Sequence, residues 1–111
     1  MTAGMKGKAE TVVTEKNTAK AMGSGTLDVF ATPAMVALME EAAWKCAAPE
    51  LEPGMGTVGT LMNVQHTSAT PLSMHVTAEC ELTEVDNRRL VFTVKAFDEV
   101  GPIGSGTHER F

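Results

Sequence analysis

From Thr32 to about Ala47 the chain carries almost no polarity on any side of a helix, and that stretch constrains the rest of the fold. Thr32-Pro33 starts it, with a threonine at the N-cap and a proline at the first helical position, where a missing N–H costs nothing. It stops ahead of Pro49, because the residue before a proline is pushed out of the helical region. Met35, Leu38, Met39, Ala42 and Cys46 make one stripe, and Val36, Ala43, Trp44 and Ala47 make its neighbour. Only Glu41 and Lys45 mark a wet face. Such a helix must be covered by something broad, most simply a sheet that wraps it.

The remaining sequence supplies that sheet. Lys8 to Glu15 reads as a strand rich in Thr and Val. Asn17 to Asp28 is a loop centred on Gly23-Ser24-Gly25, and Leu51-Glu52-Pro53-Gly54 is a turn. Val58, Thr60, Met62, Val64 and His66 share one parity, and Pro71 halts the run that follows. Met74, Val76, Ala78, Cys80 and Leu82 face one way while His75, Thr77, Glu79, Glu81 and Thr83 face the other, the pattern of a half-buried strand. Asp86-Asn87-Arg88 turns the chain into a hairpin partner, Leu90 to Phe97. Ile103 to Phe111 is a last strand whose Gly104 and Gly106 mark a bulge or a close backbone approach. The expected order is strand, long helix, then four strands in a meander: an α+β fold in one domain, residues 1–111.

Several function classes drop out. A net charge of -5 leaves no basic footprint for nucleic acid or an anionic membrane surface. With one Trp, four Phe and no Tyr there is no stacking platform for single strands. No apolar run reaches membrane-spanning length. Cys46 and Cys80 stand far apart without metal-ligand spacing, so both are expected to be free thiols, and no metal site is expected. Met1 to Lys6 has no apolar stretch behind its charge, so no secretory signal is read there and the expected location is cytoplasmic.

Three polar residues stand out against this background. Glu40 lies on the Val36–Ala43–Trp44 stripe, which points it into apolar surroundings, where burial raises a carboxylate's pKa and suits it to act as base or nucleophile. Its bland alternative is a helix carboxylate bound to a structural donor. His66 shares parity with Val58, Met62 and Val64 and so points inward, as a satisfied core histidine also would. Thr32 is explained as an N-cap, although a helix N-terminus also welcomes an acyl oxygen. Threonine, glutamate and histidine on separate elements are the parts of a hydrolytic site if the fold brings them together. His75 and His108 read as surface or sheet residues; Arg88-Arg89, with Lys95, suit contacts to phosphates, and a solvated hairpin tip explains the arginines equally well.

The words of the sequence add a resemblance. Val29-Phe30-Ala31-Thr32 precedes Met35-Val36-Ala37-Leu38-Met39-Glu40; Leu51-Glu52-Pro53-Gly54 and Gly59-Thr60 follow, then His66-Thr67-Ser68-Ala69-Thr70-Pro71 and Ile103-Gly104-Ser105-Gly106-Thr107-His108-Glu109-Arg110. In this order they resemble the hotdog fold, an antiparallel sheet wrapped around one long central helix, and within it the thioesterase group that includes fluoroacetyl-CoA thioesterase. The resemblance implies an acyl-CoA thioesterase with Thr32, Glu40 and His66 as the catalytic trio. It implies that Gly59 offers its N–H to the thioester carbonyl and that Arg110 sits near the substrate entrance. It implies CoA only as part of the substrate, with no other cofactor, and a homodimer paired edge to edge with the site at its interface, a tetramer being the larger assembly left open. A hotdog hydratase would need an aspartate shortly before its histidine; Leu61 occupies that region and no acid lies between Glu52 and His66. The Asp…Gly-His context of the 4-hydroxybenzoyl-CoA type is missing too. Selectivity for the fluorinated acyl group involves aromatic side chains in the loop before the helix, and here Ala21 to Leu27 has none. The alternative from another class is a non-catalytic hotdog dimer that binds acyl-CoA or another small ligand without turning it over.

Overall fold

Along the chain, the computed structural model describes all 111 residues as β1 (Lys6–Val12), α1 (Ala19–Met22), α2 (Thr32–Ala47), β2 (Gly59–His66), β3 (His75–Asp86), β4 (Arg89–Phe97) and β5 (Pro102–Arg110), with a 3-10 turn at Ala48–Glu50. All five strands join one antiparallel sheet in the order β1-β3-β4-β5-β2. The expected meander therefore holds for β3, β4 and β5 and fails for β2, which crosses over to pair with β5. Alternation along β2 tells which face is buried, but not which strand lies alongside; that pairing joins residues far apart in the chain, such as Met62 and His108.

The helix lies across one face of the sheet. It buries Met35, Leu38, Met39, Ala42, Ala43, Cys46 and Ala47 against the inward residues of β3 and β4, among them Val76, Ala78, Leu82, Phe92 and Val94. Each fully buried large side chain here, such as Met35, Met39, Leu82 or Phe92, contributes about 1.5–3 kcal/mol over its exposed state. Close approach is made possible by glycines. A side chain on Gly104 would strike Met35 Sδ at 2.6 Å, and one on Gly106 would strike Val64. The expectation of tight contacts at those two positions is met.

Within one chain the sheet covers only one side of α2. Pro33, Ala37, Trp44 and Lys45 stay exposed, Trp44 to 45%. The second apolar stripe is thus split: Ala43 and Ala47 are buried, Trp44 is open and Val36 is half-covered. No helix is long and apolar enough to cross a membrane. Both cysteines are free and buried.

Candidate active site

Thr32 is the first residue of α2, but it does not cap it. Ala31 occupies the N-cap position and makes no side-chain cap bond. The Thr32 hydroxyl instead lies 2.7 Å from Nδ1 of His66, the last residue of β2. The expected cap is therefore corrected by geometry: Pro33 sits in the first turn and sets the helix start, which leaves the hydroxyl free for the histidine.

The loop after His66 is held from three sides. Thr67 N and Ser68 N both donate to Ile103 O. Thr70, fully buried, accepts at its carbonyl from Phe30 N and donates its hydroxyl to Asp98 Oδ2 at 2.8 Å. Asp98 in turn accepts from Val100 N and Gly101 N. Burial works against the Asp98 charge, but these bonds outweigh it and hold the carboxyl below its usual range. The approach to Thr32 and the exit from His66 are thus pinned to each other at Thr70.

Thr32 and His66 open onto a cleft of about 260 Å³ whose walls include Ser24, Phe30, Thr67 and Ala69. His66 Nε2 is buried and has no hydrogen-bond partner, alone among the buried side-chain nitrogens and oxygens of the chain. A buried polar atom left unsatisfied costs about 1–3 kcal/mol, so its retention asks for a reason. Burial lowers the pKa of His66, and a backbone bond at Ser68 offsets only part of that. The imidazole is consequently neutral at pH 7, one nitrogen engaged by Thr32 and the other free.

Glu40 belongs to a second cluster. It lies eight residues beyond Thr32 on α2, about 12 Å along the axis at about 1.5 Å per residue. Its Oε2 accepts from Arg110 Nη1 at 3.2 Å, and its side chain is 40% exposed while that of Arg110 is 7% exposed. The expectation that Glu40 points into apolar surroundings is thereby corrected, because Ala37 and Trp44 on that side of the helix are open and its partner is a buried cation. Arg110 is held on several sides. Its Nε donates to Thr57 Oγ1, its Nη2 to Thr57 O, and its Nη1 also meets His108 Nε2 at 3.1 Å.

Gly59 fits beneath this cluster. A side chain there would lie 2.5 Å from Glu40 Oε2 and 3.3 Å from His108 Cε1. Next to it, Val58 and Phe111 exchange both backbone bonds, so Gly59 turns its own N–H away from β5 toward the open edge of the sheet.

One chain therefore joins Thr32 to His66, and Glu40 to Arg110 and Gly59, but does not join the two groups. His108 and Thr57 complete the second group and escaped the sequence reading. His108, expected to be a surface or sheet residue, lies in β5 and is 1% exposed, with Phe92 stacked on its ring at 6.2 Å. The available signal was its parity with Arg110, two residues on along β5. A larger hollow, about 450 Å³, lies on the far face of the sheet among Lys6, Lys8, Glu79, Glu81 and Lys95, where opposite charges alternate and no histidine is present.

Residues 13–111 match the model of the fluoroacetyl-CoA-specific thioesterase family, FlK. The chain is 54% identical over 83 residues to a fluoroacetyl-CoA thioesterase of Streptantibioticus cattleyicolor, covering 75% of this chain and 60% of that protein. Its structure superposes on that of the fluoroacetyl-CoA thioesterase FlK with a TM-score of 0.93 at 43% identity, covering 99% of this chain and 86% of the other. A variant of FlK has been solved with fluoroacetate and CoA, again at a TM-score of 0.93 and 43% identity, with 99% and 93% coverage. A thioesterase-superfamily member from Thermus thermophilus matches with a TM-score of 0.90 at 31% identity, over 98% of this chain and 81% of the other.

Proposed function

This chain belongs to the fluoroacetyl-CoA-specific thioesterase family and has its hotdog fold, and from that premise we propose that it hydrolyses a small acyl-CoA thioester at a site shared between two copies. The observation that carries the reading is the Thr32–His66 pair with its unpartnered, buried Nε2. A neutral imidazole held by a hydroxyl on one side and left without a partner on the other is equipped to take a proton from water or to give one to a leaving thiolate.

The missing carboxylate comes from symmetry. β2 is an edge strand with an open side, and none of its residues is charged. The Gly59 cluster stands at one end of it and His66 at the other, about 23 Å apart at about 3.3 Å per residue. If two copies pair antiparallel along this edge about a two-fold axis, the Gly59 end of one meets the His66 end of the other. Each dimer then has two sites, each built from Thr32 and His66 of one copy and Glu40, Gly59 and Arg110 of its mate. The exposed Trp44 and Leu61 supply apolar surface on the same side.

In such a site the carbonyl oxygen is received by the outward N–H of Gly59. Glu40 takes the proton of the attacking water, or attacks the carbonyl and is itself released by water. The carbon–sulfur bond breaks, and CoA leaves as a thiol with the proton that water gave up; the other product is the free acid. CoA takes part as substrate, and no other cofactor is needed. The acyl group meets a wall without aromatic rings between Ala21 and Leu27, so we assign a short acyl chain and not specifically a fluorinated one. We place the reaction in the cytoplasm, and a dimer suffices for it.

Subunit mixing tests this reading. Thr32→Ala and Glu40→Gln should each abolish release of free thiol from acetyl-, propionyl- or butyryl-CoA. Mixed after reversible dissociation, the two inactive proteins should recover about a quarter of native activity, because half the dimers are mixed and each of these has one intact site. No recovery would place all three residues of a site in one chain, and no turnover by the native protein would leave only a binding module.

A further inference from the structure

Nothing in the proposed chemistry uses His108, yet it is among the most enclosed polar side chains of the molecule, 1% exposed beneath the ring of Phe92. It sits on β5 two residues before Arg110, so the two share the inner face. Its Nδ1 is 2.8 Å from Leu61 O, and a carbonyl can only accept, so Nδ1 carries the proton. Nε2 is then a bare lone pair, and Arg110 Nη1 donates to it at 3.1 Å. The same Nη1 donates to Glu40 Oε2. One nitrogen thus ties the carboxylate to the histidine.

From this geometry we propose that His108 is a positioning residue: through its Nε2 lone pair it fixes the Arg110 guanidinium, and through Arg110 it fixes the carboxylate of Glu40. The inference rests on the reading of Glu40 as the reacting carboxylate. Thr57 holds the other side of the guanidinium by its hydroxyl and carbonyl, so Arg110 is gripped from both flanks and only the Nη1 corner faces Glu40. Arginine contributes donors alone and cannot select its own rotation about a single carboxylate oxygen; an acceptor on the far side of Nη1 does that. The register shift between Gly59 and Leu61 lies at the strand segment whose carbonyl His108 uses, so the bulge and the tautomer belong to one device. The imidazole must stay neutral for the device to hold. Burial lowers its pKa first of all, the Leu61 bond pulls the other way, the Arg110 charge lowers it further, and Glu40 offsets part of this.

Two isosteres separate this role from a structural one. His108→Gln keeps an acceptor near the position of Nε2 and gives up the donor to Leu61; His108→Asn keeps the donor and gives up the acceptor. If His108 positions Arg110, the Gln variant keeps kcat within a few-fold of native, while the Asn variant loses about ten- to a hundred-fold in kcat with KM little changed. If His108 only fills the core and satisfies Leu61, the order reverses or the two fall together in step with their melting temperatures, and the inference is overturned. Side-chain 15N spectra of the native protein give a second check that needs no turnover: His108 should be protonated at Nδ1 and bare at Nε2, and the opposite tautomer overturns the assignment. Native protein and Glu40→Gln run alongside. If Glu40→Gln retains full turnover, the reading of Glu40 has failed; if it is inactive and the Gln and Asn variants at 108 behave alike, the positioning role alone has failed.

Discussion

β1 closes one side of the sheet with Lys6, Lys8 and Glu10 among its seven residues, whereas β2 closes the other with eight residues that carry no charge. An open strand edge is a template for a further strand, and charged side chains are a common means of blocking it. β1 has that protection, reinforced by the exposed Lys8–Glu10 pair at 3.1 Å. β2 lacks it, and beside it Val58, Leu61 and Trp44 remain open. The candidate chemistry follows the same division. Thr32, His66, Gly59, Glu40 and Arg110 all gather along β2 and none near β1. An unprotected edge is tolerated where it is used, and here the groups proposed to react stand at the two ends of the unprotected strand.

The contrast can be broken most directly by charging the open edge. Leu61→Lys with Asn63→Lys brings like charges together across a two-fold pairing. That costs several kcal/mol, about a hundred-fold or more in affinity, so sedimentation should give a monomer and thiol release should fall to background. A dimer with normal turnover would sink the comparison. Thr32→Val sharpens it at the His66 end. It should abolish turnover as Thr32→Ala does, yet cost less than the ~1 kcal/mol of a lost cap, since the hydroxyl caps nothing; a large drop in melting temperature would return Thr32 to a structural role. A smaller effect comes from pH. His66 and His108, both lining the β2 side, are held below their ordinary value of 6.5. The unfolded chain therefore binds protons more readily, so stability is full above about pH 6.5 and is lost as pH falls from there through the lowered folded values. The acid limb of kcat/KM should likewise lie below pH 6.5, and a limb above it contradicts the assignment. The smallest effect belongs to β1: Glu10→Lys should change stability by less than about 0.5 kcal/mol and leave assembly and turnover alone.

How much of this was legible depended on distance along the chain. Met35, Leu38, Met39, Ala42 and Cys46 read correctly as the buried stripe, because helical period is local. The β3–β4 hairpin was legible for the same reason, its turn lying at Asn87 with φ 56°. Pairing of β2 with β5 was not, because alternation fixes a face and not a neighbour. Thr32 was read as a cap because a threonine ahead of a proline fits that role, and only the fold brings His66 within 2.7 Å. The burial of His108, expected only as a surface or sheet residue, was not legible because Gly104 and Gly106 strip β5 of the apolar alternation that marks an inner face. Glu40 followed its stripe onto the helix side that a lone sheet leaves uncovered.

The segment between α1 and α2 closes mainly on itself. Ala19 N bonds Val29 O, Lys20 N bonds Leu27 O, and Ser24 N bonds Ala19 O, while Thr18 bridges Phe30. Its tip supplies Ser24 to the cleft, but the Thr32–His66 geometry is pinned separately at Thr70. Residues 22–28 can therefore lengthen, shorten or acquire bulk over generations without moving the Thr32–His66 pair. On the proposed function, a lineage changes its acyl preference by rewriting one small loop while that pair is inherited intact.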